Sequence, residues 1–264
     1  MRYLILSIAI VAGGAAFIAH GGASAASQGK ALPPEYRAYL AAPGVSHTDF
    51  IAAPRAGSVE EKADRSYFRE TRGLEKSARW PLAVSDSGRG ILKAFSCAAG
   101  IALDNENASA LVTLLSRYRT DLINATRIAE AARTPRPYER DKGAVCIADK
   151  PLATAIGTPA IQSAWGWTVA MLISEGLPDR TAQLMARGRA YGESAAVCGF
   201  ASASEVRGGR DLAAAMLARA RGEPAFRDDV EKARAQLAAL RNSGTAPVPT
   251  DCGAEAQQLA VPLR

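Results

Sequence analysis

Apolar residues recur along this chain at three- and four-residue steps rather than in alternation, and that spacing predicts helices. Over 107–133, Leu111, Leu114, Leu115, Tyr118, Leu122 and Ile123 fall on one face. Pro135 and Pro137 end the run, because proline disfavours a helical conformation in the residue before it. The stretch 163–175 contains Trp165-Gly-Trp-Thr-Val-Ala-Met-Leu-Ile173 with almost no polar face, then Gly176 and Pro178 as a stop. A helix apolar all round is a buried one. Further helices are predicted over 58–71, opened by the capping-box pattern Ser58-Val-Glu-Glu61, over 80–100 with a break at 85–90, over 179–193 and over 211–221. Pro224 is tolerated in a first helical turn, and after it Phe226, Val230, Ala233, Leu237 and Leu240 form one more core-facing stripe. Strand-like alternation is nearly absent and no repeat at solenoid spacing is visible. An all-α chain with a single helical domain over 58–244 follows. The segment 26–57, with Pro33, Pro34, Pro43 and Pro54, reads as an extended lead-in on the surface, and the proline-rich 245–264 as a loose tail.

The first residues follow another pattern. Arg2 precedes an uncharged apolar run over 3–18, and Ala23-Ser24-Ala25 has the small residues of a cleavage site, so 1–25 reads as a secretory signal. The alternative is a membrane anchor, which would need ~20 apolar residues, and Gly13, Gly14 and 20–22 weaken it. The expected location is the periplasm or the exterior, with no membrane association after cleavage. Hydrophobic residues make up 48% of the 264 and charged ones 22%, which argues against disorder for the body of the chain. A formal net charge of +6 raises the question of nucleic acid. The basic residues alternate with acids along the predicted helices, without the stripe and interleaved aromatics of a nucleic-acid binder, so no such partner is expected. Cys97, Cys146, Cys198 and Cys252 show no CxxC spacing, which argues against zinc and favours disulfides in an oxidising compartment. Of three pairings, Cys97–Cys146 with Cys198–Cys252 is preferred because each closes a sequential loop; buried free thiols are the alternative.

Candidate chemistry is narrowed by one count. The chain has two histidines, His20 and His47, and His20 lies inside the signal. A Ser-His-Asp or Cys-His centre and a His-rich metal site are therefore disfavoured, no GxSxG occurs, and His47 reads as a turn residue of the lead-in. Gly88-Arg-Gly90 matches neither phosphate-loop spacing. No metal and no cofactor are expected.

Several blocks, in one order over about 45–240, resemble the class A bacterial non-specific acid phosphatases of the type 2 phosphatidic acid phosphatase and vanadium haloperoxidase superfamily. They are Asp64-Arg-Ser-Tyr-Phe-Arg-Glu-Thr-Arg72 with Arg79-Trp80, Phe95-Ser-Cys-Ala-Ala-Gly100, Arg187-Gly-Arg-Ala-Tyr-Gly-Glu-Ser194, Val197-Cys-Gly199, Val206-Arg-Gly-Gly-Arg210 and Pro224-Ala-Phe226. The resemblance implies a single-domain helical bundle of the acid phosphatase and haloperoxidase type. It also implies a phosphate site built from three motifs: Lys, six residues, Arg-Pro; then Pro-Ser-Gly-His; then Ser-Arg, five residues, His, three residues, Asp. One histidine attacks phosphorus, a second protonates the leaving oxygen, and preplaced cations and N–H groups stabilise the charge that develops.

Against that pattern Arg136-Pro137 stands, but Ala129, or Glu130 with a one-residue deletion, occupies the lysine position. The second motif reads Pro159-Ala160-Ile161-Gln162, and Ile161 resists the positive φ that glycine allows. The third reads Ser194-Ala195, then Ala201 for histidine and Glu205 for aspartate. Arg136 could still hold an anion such as phosphate weakly, or pair with a carboxylate. Gln162 is expected in a helix-start contact, Glu205 as a surface or helix-pairing acid, and Trp165 and Trp167 in the core. Two functional expectations follow. One is an inactive, exported homologue with a binding or interaction role and an unknown partner. The other is an active phosphomonoesterase rebuilt around Arg136, with Arg133 or Arg207 and Glu205.

Overall fold

Ser58 opens helix α1 (Val59–Arg72) by accepting the Glu61 N–H at 3.1 Å, while the Glu61 carboxylate reaches back to the Gly57 N–H at 2.8 Å. The computed structural model describes residues 37–50, 54–88, 90–126, 135–146, 161–261 and 263, all within the unit Leu32–Arg264. After α1 come α2 (Arg79–Gly88), α3 (Ile91–Ala99), α4 (Ser109–Thr126), the single turn α5 (Pro137–Arg140), α6 (Ile161–Gly176), α7 (Thr181–Val197), α8 (Ala203–Ala220), α9 (Pro224–Asn242) and α10 (Cys252–Leu259). No strand occurs among the described residues, as the periodicity predicts. None of these helices is long and apolar enough to cross a membrane.

The apolar α6 is the central helix, packed on α7, α8, α9 and α4, while α2 and α3 lie against α7 and α1 touches both α7 and α8. Leu111, Leu114, Tyr118 and Leu122 of α4 meet Phe226, Val230 and Leu237 of α9 and Val169, Leu172 and Ile173 of α6 in one core. Trp165 and Trp167 sit half-buried at its edge. α6 and α7 approach so closely that side chains are excluded at the crossing. A Cβ at Gly192 would lie 2.8 Å from Ser163 Cα, and one at Gly188 2.9 Å from the Gly166 carbonyl oxygen. Glycine costs a helix up to about 1 kcal/mol relative to alanine; the backbone contact it permits offsets that cost.

Near its described start the lead-in is anchored to the helices, with Tyr39 and Leu40 buried. Both Asp121 oxygens accept backbone N–H groups, from Tyr39 and Leu40, each at 2.9 Å. The Tyr39 hydroxyl donates to Asp229 at 2.8 Å, and Arg117 stacks over the Tyr39 ring while donating to Asp229 at 2.6 Å.

Two expectations are corrected. The disulfides are Cys97–Cys252 and Cys146–Cys198, nested rather than sequential. The pairing follows from docking: α10 lies beside α2 and delivers Cys252 to Cys97, whereas Arg72 draws the segment before Cys146 to the end of α7. The tail is also not loose throughout. It forms α10, and Glu255 is buried against Arg187, 3.3 Å from Nε.

That contact joins a buried ionic network. Arg187, only 1% exposed, donates to both Asp86 oxygens at 3.1 and 2.5 Å and to the Ala94 carbonyl at 3.0 Å. Ser194 donates to Asp86 at 2.6 Å, and Arg79 donates to Ser194 Oγ at 2.9 Å and the Ala190 carbonyl at 2.8 Å. Burial opposes the Arg187 charge, but Asp86, helped by Glu255, holds its pKa above the ordinary arginine value. Arg79 is pushed down by burial, only partly countered by Asp86.

Candidate functional site

The turn after α7 explains how positions far apart in a motif come together. Gly199 takes φ +83° as the left-handed residue that ends the helix, and its N–H bonds the Ala196 carbonyl at 2.9 Å. The Ala195 carbonyl accepts from Phe200 at 2.8 Å and Ala201 at 3.2 Å, so the chain doubles back. A side chain at Gly199 would also press on Arg72 Nη1 at 3.1 Å and the Phe68 ring at 3.2 Å. Arg72 donates to the Ala196 and Val197 carbonyls, a cation on the negative end of α7. Burial pulls its pKa down to about 10.

Ala195 and Ala201 therefore meet, and with Ala196 and Val206 they form a small buried apolar cluster covered by Tyr67 of α1. The Tyr67 hydroxyl is pushed up to about 12 by burial, with Glu193 adding to the shift. Two helix starts converge on this cluster. Gln162, near the start of α6, donates to the Tyr191 carbonyl of α7 at 3.0 Å. Beside it Ser163 donates to the Val206 carbonyl at 2.6 Å. Ile161 is half-buried against the main core.

At the start of α8, Ser202 Oγ accepts the Glu205 N–H at 3.2 Å and Glu205 accepts the Ser202 N–H at 2.8 Å. Asp64 of α1 accepts the Ser204 N–H at 2.9 Å and its hydroxyl. Glu205 is thus a helix-capping acid, half-buried, and burial raises its pKa while the Ser202 bonds partly oppose the rise. The Ser202, Ser204 and Glu205 N–H groups, which this helix start could offer to an anion, are already occupied.

Arg136 is buried beside the turn, its Nη1 3.5 Å from the Phe200 carbonyl and its backbone N–H bonded to Glu139 at 2.6 Å. Arg207 does not join it. That residue is exposed on α8 and pairs with Glu60. Ala129, Glu130, Arg133 and Ala160 lie outside the described residues, as does the side chain of His47. The geometry thus joins Ala195 and Ala201, with Glu205 capping the next helix and Arg136 close to the turn, while Ile161 faces the main core and Gln162 bonds to α7. Sequence reading missed Asp64, Tyr67 and Ser204 here. One signal was present, since Ser202-Ala-Ser-Glu205 has the capping-box spacing of Ser58-Val-Glu-Glu61. A cavity of about 940 Å³ lies away from this cluster, between α3 and the tail, lined in part by Lys93, Asp104, Glu106, Asp251, Glu255 and Gln258.

A helical bundle, without strands among its described residues and with two helix starts and a helix end beside a buried arginine, is consistent with the acid phosphatase and haloperoxidase helical fold. Comparison with characterised proteins narrows that class. The chain is 32% identical over 200 residues to an acid phosphatase of Zymomonas mobilis, covering 74% of this chain and 76% of that one. It is 28% identical over 195 residues to a non-specific acid phosphatase of Providencia stuartii, covering 71% and 79%. A third relative, from Salmonella typhimurium and also named non-specific acid phosphatase, is 26% identical over 201 residues. This chain belongs to the bacterial acid phosphatase family. No protein-family model matches it.

Proposed function

We propose that this protein is an exported member of the acid phosphatase family that has kept the helical scaffold and lost the phosphoryl-transfer chemistry, and that it serves as a binding or interaction protein. The observation that carries the reading is the alanine cluster. Where the family pattern calls for an arginine and a histidine, Ala195 and Ala201 pack against Ala196, Val206 and Tyr67. The aspartate position is filled by Glu205, whose carboxylate caps α8. With His20 in the signal segment and His47 in the lead-in, the chain has no pair of histidines for a phosphohistidine mechanism. Removing one oxyanion donor costs about 10²–10³ in rate, so loss of two cations together with both histidines leaves no practical hydrolysis. Arg136 then supports at most a weakly held anion. Export is supported by the pattern of 1–25 and by two disulfides, which persist in oxidising compartments.

The test is a rate on a generic phosphomonoester from acidic to neutral pH, with the Zymomonas relative assayed in parallel and Arg136→Ala as the variant. A negligible rate, unchanged by the substitution, is expected. A robust rate abolished by Arg136→Ala would establish the other reading, hydrolysis at a rebuilt site, which the retained Arg136 and the relatives' names favour. Mass spectrometry of the chain made in its host should find a mature start near Ala26; an intact Met1 on a membrane-bound chain would overturn export.

A further inference from the structure

We propose that the C-terminal segment 245–263 is a redox-released latch, pinned by Cys97–Cys252, whose opening uncovers the end of the buried ionic network and the flank of the Arg136 site. The inference stands on the geometry of the tail and does not depend on whether the protein hydrolyses phosphomonoesters.

After α9 the chain runs through 243–251 without a helix, joined to the body by a backbone bond from the Ala102 N–H to the Pro247 carbonyl at 2.8 Å. α10 then buries little of itself. Glu255 is its one buried residue, resting on Arg187. Beyond α10, Leu263 packs into a second apolar cluster with Ala83, Phe200, Trp80 and Tyr138. An eight-residue helix has little stability of its own. A segment whose footholds at Ala246 and Pro247, at Glu255 and at Leu263 are each small is therefore held in large part by the covalent pin among them.

The two disulfides differ in how they would meet a reductant. Cys97, Cys252 and Cys146 are all half-buried, whereas Cys198 is fully buried under the turn after α7, so the outer bond offers a reductant two accessible sulfurs and the inner bond one. Arg72 holds the Ala144 carbonyl and the Val197 carbonyl together, which keeps Cys146 and Cys198 adjacent even if their bond is attacked. Arg187 likewise joins the Ala94 carbonyl of α3 to Glu255 of α10, so the two bonds differ chiefly in the burial of Cys198. An exposed dithiol, small or carried by a thiol–disulfide oxidoreductase, would attack one sulfur of the outer bond and form a mixed disulfide. Its second thiol then displaces the protein sulfur. The net change is two protein thiols and one oxidised dithiol, with two electrons and two protons transferred.

Once the pin opens, three things separate together. Glu255 leaves Arg187, which keeps Asp86 and the Ala94 carbonyl but gains access to water. The 940 Å³ cavity loses the wall made by Pro249, Thr250, Asp251, Ala254, Glu255 and Gln258. Leu263 leaves Phe200 and Tyr138, and the Phe200 carbonyl is the one Arg136 faces. The latch thus ties the redox state of the surroundings to what the protein exposes.

The experiment uses the full oxidised chain with graded dithiothreitol, alkylation of freed thiols, peptide mapping, and hydrogen exchange with far-ultraviolet circular dichroism on the same samples. The expected result is a reductant range in which Cys97 and Cys252 are alkylated while Cys146–Cys198 remains closed. In that range amide exchange over 245–261 should rise at least about tenfold, toward the rate of a frayed terminus, with helical ellipticity kept. Simultaneous reduction of both bonds would overturn the proposal. So would continued protection of 245–261 after the outer bond has opened, or loss of helical ellipticity when that bond alone opens. The Cys97→Ser, Cys252→Ser double variant should reproduce the reduced state without reductant. If that variant does not fold, the proposal fails by the same criterion.

Discussion

Replacing Asp86 by asparagine tests the buried network with almost no change of shape. Asp86 is 2% exposed and accepts three hydrogen bonds, two from Arg187 and one from Ser194. Asparagine keeps one acceptor oxygen, presents an NH₂ to a guanidinium N–H, and removes the charge that faces two buried arginines. Breaking a buried pair by neutralising one partner costs about 3–5 kcal/mol, because the other charge stays buried without compensation. Glu255 remains 3.3 Å from Arg187 and places the expected loss toward the lower end, roughly 3 kcal/mol. At about 2–4 °C per kcal/mol for a chain of this size, Tm should fall by roughly 6–12 °C. Denaturant unfolding with both disulfides intact gives the measurement, and Arg234→Ala, from an exposed pair, is the control that should not move. A loss for Asp86→Asn below about 1 kcal/mol would refute the reasoning and mean that water or relaxation compensates the arginines.

Other substitutions probe separate links. Gly192→Val would put a Cβ 2.8 Å from Ser163 Cα and should abolish soluble expression or the cooperative unfolding transition, whereas Gly253→Ala, with open space around it, should be silent in both. Tyr39→Phe removes the bond to Asp229 and should cost about 1 kcal/mol in denaturant unfolding, with the lead-in more readily clipped by protease. Glu205→Gln keeps the capping box but not the charge. The folded-state pKa of Glu205 is raised by burial, so its stabilising effect is full below the unfolded carboxyl value and is lost as pH rises through the folded one. The variant should therefore gain on the parent as pH rises above the unfolded carboxyl value of about 4, and a Tm difference that does not change with rising pH would contradict that assignment.

Much of the fold was legible from local patterns. Ser58 with Glu61 marked a helix start, and the nearly all-apolar 163–175 marked the central helix, because both signals are carried within one or two turns. The start of α8 was missed although Ser202 and Glu205 have the same spacing, since those positions were weighed only as remnants of a phosphate motif. α10 was hidden by the prolines before it, and its docking is set by Cys97 and Arg187, more than sixty residues away in sequence. The disulfide pairing was misjudged for the same reason: sequential loops are the simplest guess, but Arg72 and the end of α7 decide where Cys146 lies. At the candidate site, residue identities were readable and their surroundings were not. Nothing in Ala195 or Ala201 alone reveals that a tyrosine from α1 closes over them.

The nested bridges set an order on how this chain can be made. Read from the amino terminus, Cys97 emerges first and meets Cys146 as its earliest available mate, then Cys198, and its native partner last, 155 residues on. An oxidase that joined cysteines as they appeared would trap Cys97 with Cys146 and leave Cys198 for Cys252. The native set instead requires Cys97 to wait as a thiol, or a wrong bridge to be exchanged, until α7 has brought Cys198 to Cys146. Correct maturation therefore calls on oxidation that waits for Cys252 or on an isomerase beside the oxidase, and a host that supplies neither should accumulate chains whose carboxy-terminal helix is tied to α7 instead of α3.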